Sequence, residues 1–167
     1  MSDLLRYKPR QTTTQIILHD SHTIPEVSTV DNVPRWASMA HEGGLKMGLL
    51  SIGYHDIIER DGTIIECRHH SLVGSHTPGH NLDSIGICLV GGREVEGGEG
   101  VDNFTEDQKR SLLRRCHEYR TLYPSILKVV GHSEVQRFRR RDTPPCPPLD
   151  MELFREDLEL YSQGIIL

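Results

Sequence analysis

Three residues far apart in the chain have the side-chain types and surroundings for one piece of chemistry. His19 closes the short apolar run Gln15-Ile-Ile-Leu-His19, His132 directly follows the apolar residues 127–131, and Cys146 sits inside Pro144-Pro-Cys-Pro-Pro148. Strand ends carry sites because loops and termini hold functional groups on a rigid frame, and four prolines hold a thiol in a stiff, non-helical loop. If the two short strands are neighbours, two imidazole nitrogens and one thiolate form a three-ligand zinc set with a fourth position left for water. Neutral imidazole and deprotonated sulfur are both within reach near pH 7 once a metal is bound. Ten histidines in 167 residues invite this search. Spacing alone leaves the alternative open: two strand-end histidines with satisfied hydrogen bonds and a buried thiol.

The other cysteines point elsewhere. Cys67, Cys88 and Cys116 make no C-x-x-C pair with each other or with Cys146, against a zinc ribbon or a thioredoxin-like motif. Cys88 lies in the apolar run Ser84-Ile-Gly-Ile-Cys-Leu-Val90 and Cys116 on a helical stripe, so both read as core; Cys67 closes a strand-like segment and reads as structural. The first ten residues lack the apolar core of a secretory signal, so synthesis is expected to end in a cytoplasm, with the thiols reduced.

The elements that must position these groups follow from pattern and composition. With 19 basic and 24 acidic residues the net charge is −5, which disfavours nucleic acid as the default ligand. Hydrophobic residues at 36% and charged ones at 26%, without long one-sign blocks, argue against disorder; no apolar run approaches the roughly 20 residues of a membrane helix. We expect a polar, loosely attached arm over residues 1–14 and a single domain over 15–167. Within it, a helix is predicted over 33–42, a hairpin over 52–59 and 63–66 about Asp61-Gly62, and a central strand over 84–90. Thr105-x-x-Gln108 makes a capping box for a helix burying Leu112, Leu113, Cys116, Tyr119 and Tyr123. Asp150 caps a last helix with Met151, Phe154, Leu158 and Tyr161 on its inner seam. Strands alternating with helices give an α/β fold, a mixed central β-sheet flanked by about three helices.

A family resemblance extends this reading. Ile16-Ile-Leu-His-Asp-Ser21, Gly53-Tyr-His-Asp-Ile-Ile-Glu-Arg-Asp-Gly62, Gly74-Ser-His-Thr-Pro-Gly-His-Asn81, Ser84-Ile-Gly-Ile-Cys-Leu-Val-Gly-Gly92 and Gly131-His-Ser-Glu-Val135, followed by Cys146-Pro147, resemble in order the blocks of one family. It is the zinc N-acetylmuramoyl-L-alanine amidases of type 2, which share a fold with peptidoglycan recognition proteins. Its short single-domain phage lysozymes are the nearest in form, and the likeness runs from about residue 7 to 155. It implies a phage endolysin that hydrolyses the amide between N-acetylmuramic acid and L-alanine of peptidoglycan with a zinc-activated water. His19, His132 and Cys146 take the zinc-ligand positions, and Tyr54 that of the tyrosine beside the metal.

The chain departs from the pattern two positions before Cys146, where the short phage enzymes carry lysine and this sequence has Pro144. Thr143 is the nearest hydroxyl and our expected substitute, with Arg141 as an alternative and neither as the third outcome. His76 matches a groove position and is expected to bind substrate, against a plain loop histidine. His55 points to the face opposite Tyr54, suiting a structural role, and Asn81 reads as a turn former. His22, His41, His69, His70, His80 and His117 show no pattern, and surface placement is the default. Residues 137–141 form a basic cluster that reads as a solvated loop or as a steering patch for anionic cell-wall polymer.

The resemblance also implies peptidoglycan as partner, without membrane association, and action on the wall after a separate pore admits the enzyme; a monomer is the default for a single-domain enzyme. The alternative class is a peptidoglycan- or RNA polymerase-binding regulator of the same fold: many recognition-protein relatives bind peptidoglycan without cleaving it, and the segment Tyr7-Lys-Pro-Arg-Gln-Thr12 resembles the N-terminal part of members that bind a phage RNA polymerase. A Cys146–His132 thiol hydrolase fails on environment, since nothing nearby marks an activating group.

Overall fold

The structure, a computed structural model, describes residues 7–27, 52–136 and 144–166. The helix expected over 33–42, His41, Arg141, Thr143 and the rest of the basic cluster lie outside the described residues. Five strands form one mixed sheet: β1 (Gln15–Asp20), β2 (Asp56–Ile58), β3 (Ile64–Glu66), β4 (Ser84–Leu89) and β5 (Lys128–Gly131), in the order β3-β2-β4-β1-β5. β1 runs parallel to β4 and β5, β2 runs parallel to β4, and only β3 is antiparallel, closing the hairpin with β2. Three helices accompany the sheet: α1 (Glu106–Leu122), the single turn α2 (His132–Val135) and α3 (Met151–Ser162). None of the described helices is long and apolar enough to cross a membrane.

Period-2 alternation decides which face does what. On one face Ile16, Leu18, Ile85, Ile87 and Leu89 pack against Leu112, Cys116 and Tyr119 of α1 and Met151, Phe154 and Leu158 of α3. Each fully buried aliphatic there contributes about 1.5–3 kcal/mol. The other face carries a smaller cluster of Ile52, Ile57, Cys88 and Val90, with Tyr54 and Cys67 against it. Cys88 and Cys116 are core, as their apolar surroundings require.

Both long helices begin as expected. The Thr105 hydroxyl accepts from the Gln108 N–H and the Gln108 side chain accepts from the Thr105 N–H, a complete capping box; Asp150 accepts from the Leu153 N–H. Gln108 is buried and does more than cap. Its amide donates to the carbonyls of Ile58 and Val90, tying α1 to the ends of β2 and β4. Asp56, also buried, accepts from Arg115 and from the Tyr119 hydroxyl, fastening the start of β2 to the middle of α1.

Residues 7–14 depart from the expected loose arm. Tyr7 is only 8% exposed with the Arg68 guanidinium over its ring, Pro9 bridges to Leu72, and Arg10 donates to Thr13 and to the Leu72 carbonyl. The segment is polar by count, yet its one large ring and its long-range hydrogen bonds lay it on the domain.

His55 is buried between two backbone groups. Its Nδ1 accepts from the Gly86 N–H at 2.9 Å, so Nε2 carries the proton and donates to the Leu72 carbonyl at 2.8 Å. Burial pushes its pKa down from 6.5 to about 3. The unfolded chain therefore binds a proton that the native state refuses between these values, and stability rises with pH across that window. His55 contributes fully above 6.5 and loses its contribution as pH falls toward 3. Relative to a His55→Gln protein, the native chain should lose about 2 kcal/mol more between pH 7 and pH 5, at 1.36 kcal/mol per pKa unit. Urea midpoints at the two pH values check this, and parallel losses in both proteins would contradict it.

Candidate active site

His19 occupies the fifth position of β1 and so projects from the face opposite the helices, alternating with Leu18. β5 is its other neighbour, and the chain turns at the end of β5 into α2, whose first residue is His132. Adjacent parallel strands thus bring the two imidazoles together, with ring centroids 4.7 Å apart. The Glu134 carboxylate holds that turn: it accepts from the Gly131 N–H and from Arg155 of α3, which also donates to the Val129 carbonyl.

Cys146 joins them through its backbone. The Ser133 N–H donates to the Cys146 carbonyl at 2.9 Å, and the Cys146 N–H donates to the Ser133 hydroxyl at 2.6 Å. This reciprocal pair fixes the proline-rich loop beside His132. Ligand atoms of His19, His132 and Cys146 lie within 4.8 Å of one another.

The chemistry of these donors suits a soft divalent cation. Burial holds the His19 pKa well below its ordinary value, helped by His132 and His22, and burial lowers His132 as well, so both imidazoles are neutral with lone pairs to offer near pH 7. Burial, then the nearby Asp20 carboxylate, pushes the Cys146 thiol up. Without a cation it is an inert thiol, which removes the thiol-hydrolase reading; beside one it becomes a ligand. The residues present fit zinc.

Around this group opens a cavity of about 360 Å³ whose walls include His22, Tyr54, His76 and the three candidate ligands. The Tyr54 ring centroid lies 5.1 Å from that of His19. Burial raises the Tyr54 pKa well above 10, so its hydroxyl stays protonated and is a donor. His76 is half-buried behind His19, its Nδ1 2.9 Å from His19 Nε2 and 2.8 Å from the Thr77 hydroxyl. The ring rests on β4, where a Cβ at Gly86 would come within 2.6–2.7 Å of it. A glycine interrupting an otherwise apolar strand marks such a close approach. Asn81 forms a turn, as expected, its side-chain oxygen accepting from the N–H groups of His76 and Thr77.

The structure thus brings together His19, His132, Cys146, Tyr54 and His76. It adds residues to which the sequence reading gives no role: Thr77 and Ser133, which lie within the family-like blocks, beside the candidate ligands, and a cluster of Asp20, His22 and Arg93 beside Cys146.

A family model described as N-acetylmuramoyl-L-alanine amidase matches residues 9–147. The chain is similar to the endolysin of Enterobacteria phage T3, 36% identical over 159 residues, and to that of Escherichia phage T7, 34% identical over 159 residues, with 95% of both chains covered in each case. Among solved structures, the endolysin amidase LysCS from Clostridium intestinale superposes with a TM-score of 0.70 at 23% identity, over 92% of this chain and 88% of that one, a likeness of fold.

Proposed function

The chain belongs to the N-acetylmuramoyl-L-alanine amidase family, and on that premise we propose that it hydrolyses the amide between N-acetylmuramic acid and L-alanine as a phage endolysin using one zinc ion held by His19, His132 and Cys146. The observation that carries the metal assignment is the convergence of the three ligand atoms to within 4.8 Å in a buried cavity wall. Bound zinc supplies Lewis acidity, polarising the scissile carbonyl and acidifying water.

The chain's own residues do the rest. Tyr54, protonated throughout the working pH range, donates to the acyl oxygen as negative charge builds there. His76 and Thr77 engage Nε2 of His19 and fix that ring's orientation, as outer partners of a metal ligand do; His76 also offers its cavity edge to substrate. Ser133 fixes Cys146. Thr143, or Arg141 in its place, is proposed on sequence grounds alone as a further donor. Synthesis in a host cytoplasm, with a separate pore giving access to the wall, belongs to the same proposal. So does a second activity, binding of a phage RNA polymerase, for which the exposed residues Lys8, Gln11 and Thr12 are the groups to alter.

Bond choice is tested by mass spectrometry of digested peptidoglycan. We expect free stem peptides beginning with L-alanine and glycan strands that keep their lactyl groups. Shortened glycans, or peptides cut at an internal bond, would contradict the assignment.

A further inference from the structure

We propose that Ser84 is a positioning residue of this amidase. It fixes the proton of His76 on Nε2 and, through His76, the proton of His19 on Nε2, which leaves Nδ1 of His19 as the nitrogen with a lone pair for a cation. The inference rests on the zinc amidase reading and deepens it. A histidine binds a metal through one ring nitrogen only while its proton sits on the other, and the hydrogen bonds around the ring decide which that is.

The chain of bonds has a fixed end. Ser84 is the first residue of β4 and fully buried, and its hydroxyl donates to the His80 carbonyl at 2.7 Å. A hydroxyl has one proton to give. With that proton committed, Ser84 Oγ meets Nε2 of His76, 3.3 Å away, as an acceptor, so the hydrogen of His76 is on Nε2. Burial holds the His76 pKa well below its ordinary value, so near pH 7 the ring is neutral and has a single proton. Its Nδ1 is therefore an acceptor.

Two groups reach that Nδ1: His19 Nε2 at 2.9 Å and the Thr77 hydroxyl at 2.8 Å, which lie 3.2 Å from each other. Thr77 also has one proton. Were His19 Nε2 bare, that proton would have to serve both nitrogens, and two lone pairs would face each other at 2.9 Å, with His19 and Thr77 each only 1% exposed. An unmet pair is costly in such a place. A proton on His19 Nε2 satisfies all three atoms, whether it goes to His76 directly or to the Thr77 oxygen while Thr77 donates to His76. The donors thus run one way, from His19 through His76 and Ser84 to the His80 carbonyl. Packing holds the middle ring in place: a Cβ at Gly74 or at Gly86 would come within 2.7 Å of its Cδ2. The far end of the chain lies in the loop whose Pro78 and Asn81 line the cavity, so one set of bonds orients the candidate ligand and ties it to the cavity wall.

The test reads the tautomers directly. Long-range proton–nitrogen NMR spectra of the metal-free protein, labelled with nitrogen-15 histidine and held near neutral pH, distinguish a ring protonated on Nδ1 from one protonated on Nε2. We expect both His19 and His76 of the native protein to carry the proton on Nε2, a result that needs no variant. Ser84→Ala removes the acceptor and should give mixed tautomers at both rings. Its Kd for zinc, from competition with a chelator, should rise about tenfold, the lower end of the loss for an outer partner of a metal ligand, because only part of the population then presents the free nitrogen. A native ring of His19 or His76 protonated on Nδ1 would overturn the proposal, as would native tautomers and native zinc affinity in Ser84→Ala. A native protein with both protons on Nε2 that binds no zinc would uphold the role of Ser84 and sink the metal reading instead.

Discussion

Cys146→Ser is expected to abolish zinc retention and to lower kcat by more than about 10³-fold while the fold survives. The bonds that place residue 146 are made by its main chain, to the N–H and hydroxyl of Ser133, and serine keeps both. What serine cannot keep is the soft sulfur donor: a neutral hydroxyl is a poor partner for a borderline-soft cation. The loss in zinc affinity should exceed the 10–100-fold that follows removal of an outer partner. Several kcal/mol of metal assistance then disappear, and each 1.36 kcal/mol is a decade in rate. Thermal melting, zinc content and release of L-alanyl peptides, measured on one preparation, check all three parts. Retained hydrolysis at near-native rate would remove Cys146 from the centre.

Tyr54→Phe separates chemistry from metal binding. Tyr54 lines the cavity with its ring 5.1 Å from that of His19, and its hydroxyl stays protonated because burial disfavours the phenolate. Its removal leaves the zinc ligands untouched and deletes one donor to the developing oxyanion, a loss of about 3–4 kcal/mol. We expect kcat to fall about 10²–10³-fold with zinc content and KM little changed. A variant with full kcat would show that Tyr54 only packs against His19.

Much of this centre is legible in the sequence because its parts are locally marked. His19 and His132 end apolar runs, Cys146 is framed by prolines, and Thr105-x-x-Gln108 and Asp150 announce the two long helices. The mixed sheet with helices is legible for the same reason, since strand and helix periods differ. What stays hidden depends on contacts across the fold. His22 reads only as a surface histidine because its partner Arg93 is 71 residues away, and its left-handed backbone has no residue-type signal of the kind glycine gives. His76 is visible as a binding candidate, but not as the partner of His19, 57 residues away; the glycine at position 86 was the available clue. Residues 7–14 read as a loose arm because composition counts polar side chains, whereas Tyr7 and Arg10 are secured by Arg68 and Leu72. Gln108 is marked as a cap, yet its hold on β2 and β4 emerges only from tertiary packing.

The central claim is that two imidazoles and one thiolate from three separate elements hold a single zinc ion. X-ray absorption spectroscopy of the zinc-loaded protein tests it most directly. The account predicts one zinc per chain with one sulfur and two imidazole scatterers in its first shell, the sulfur vanishing in Cys146→Ser. A first shell without sulfur in the native protein, or one unaltered by that substitution, would contradict it.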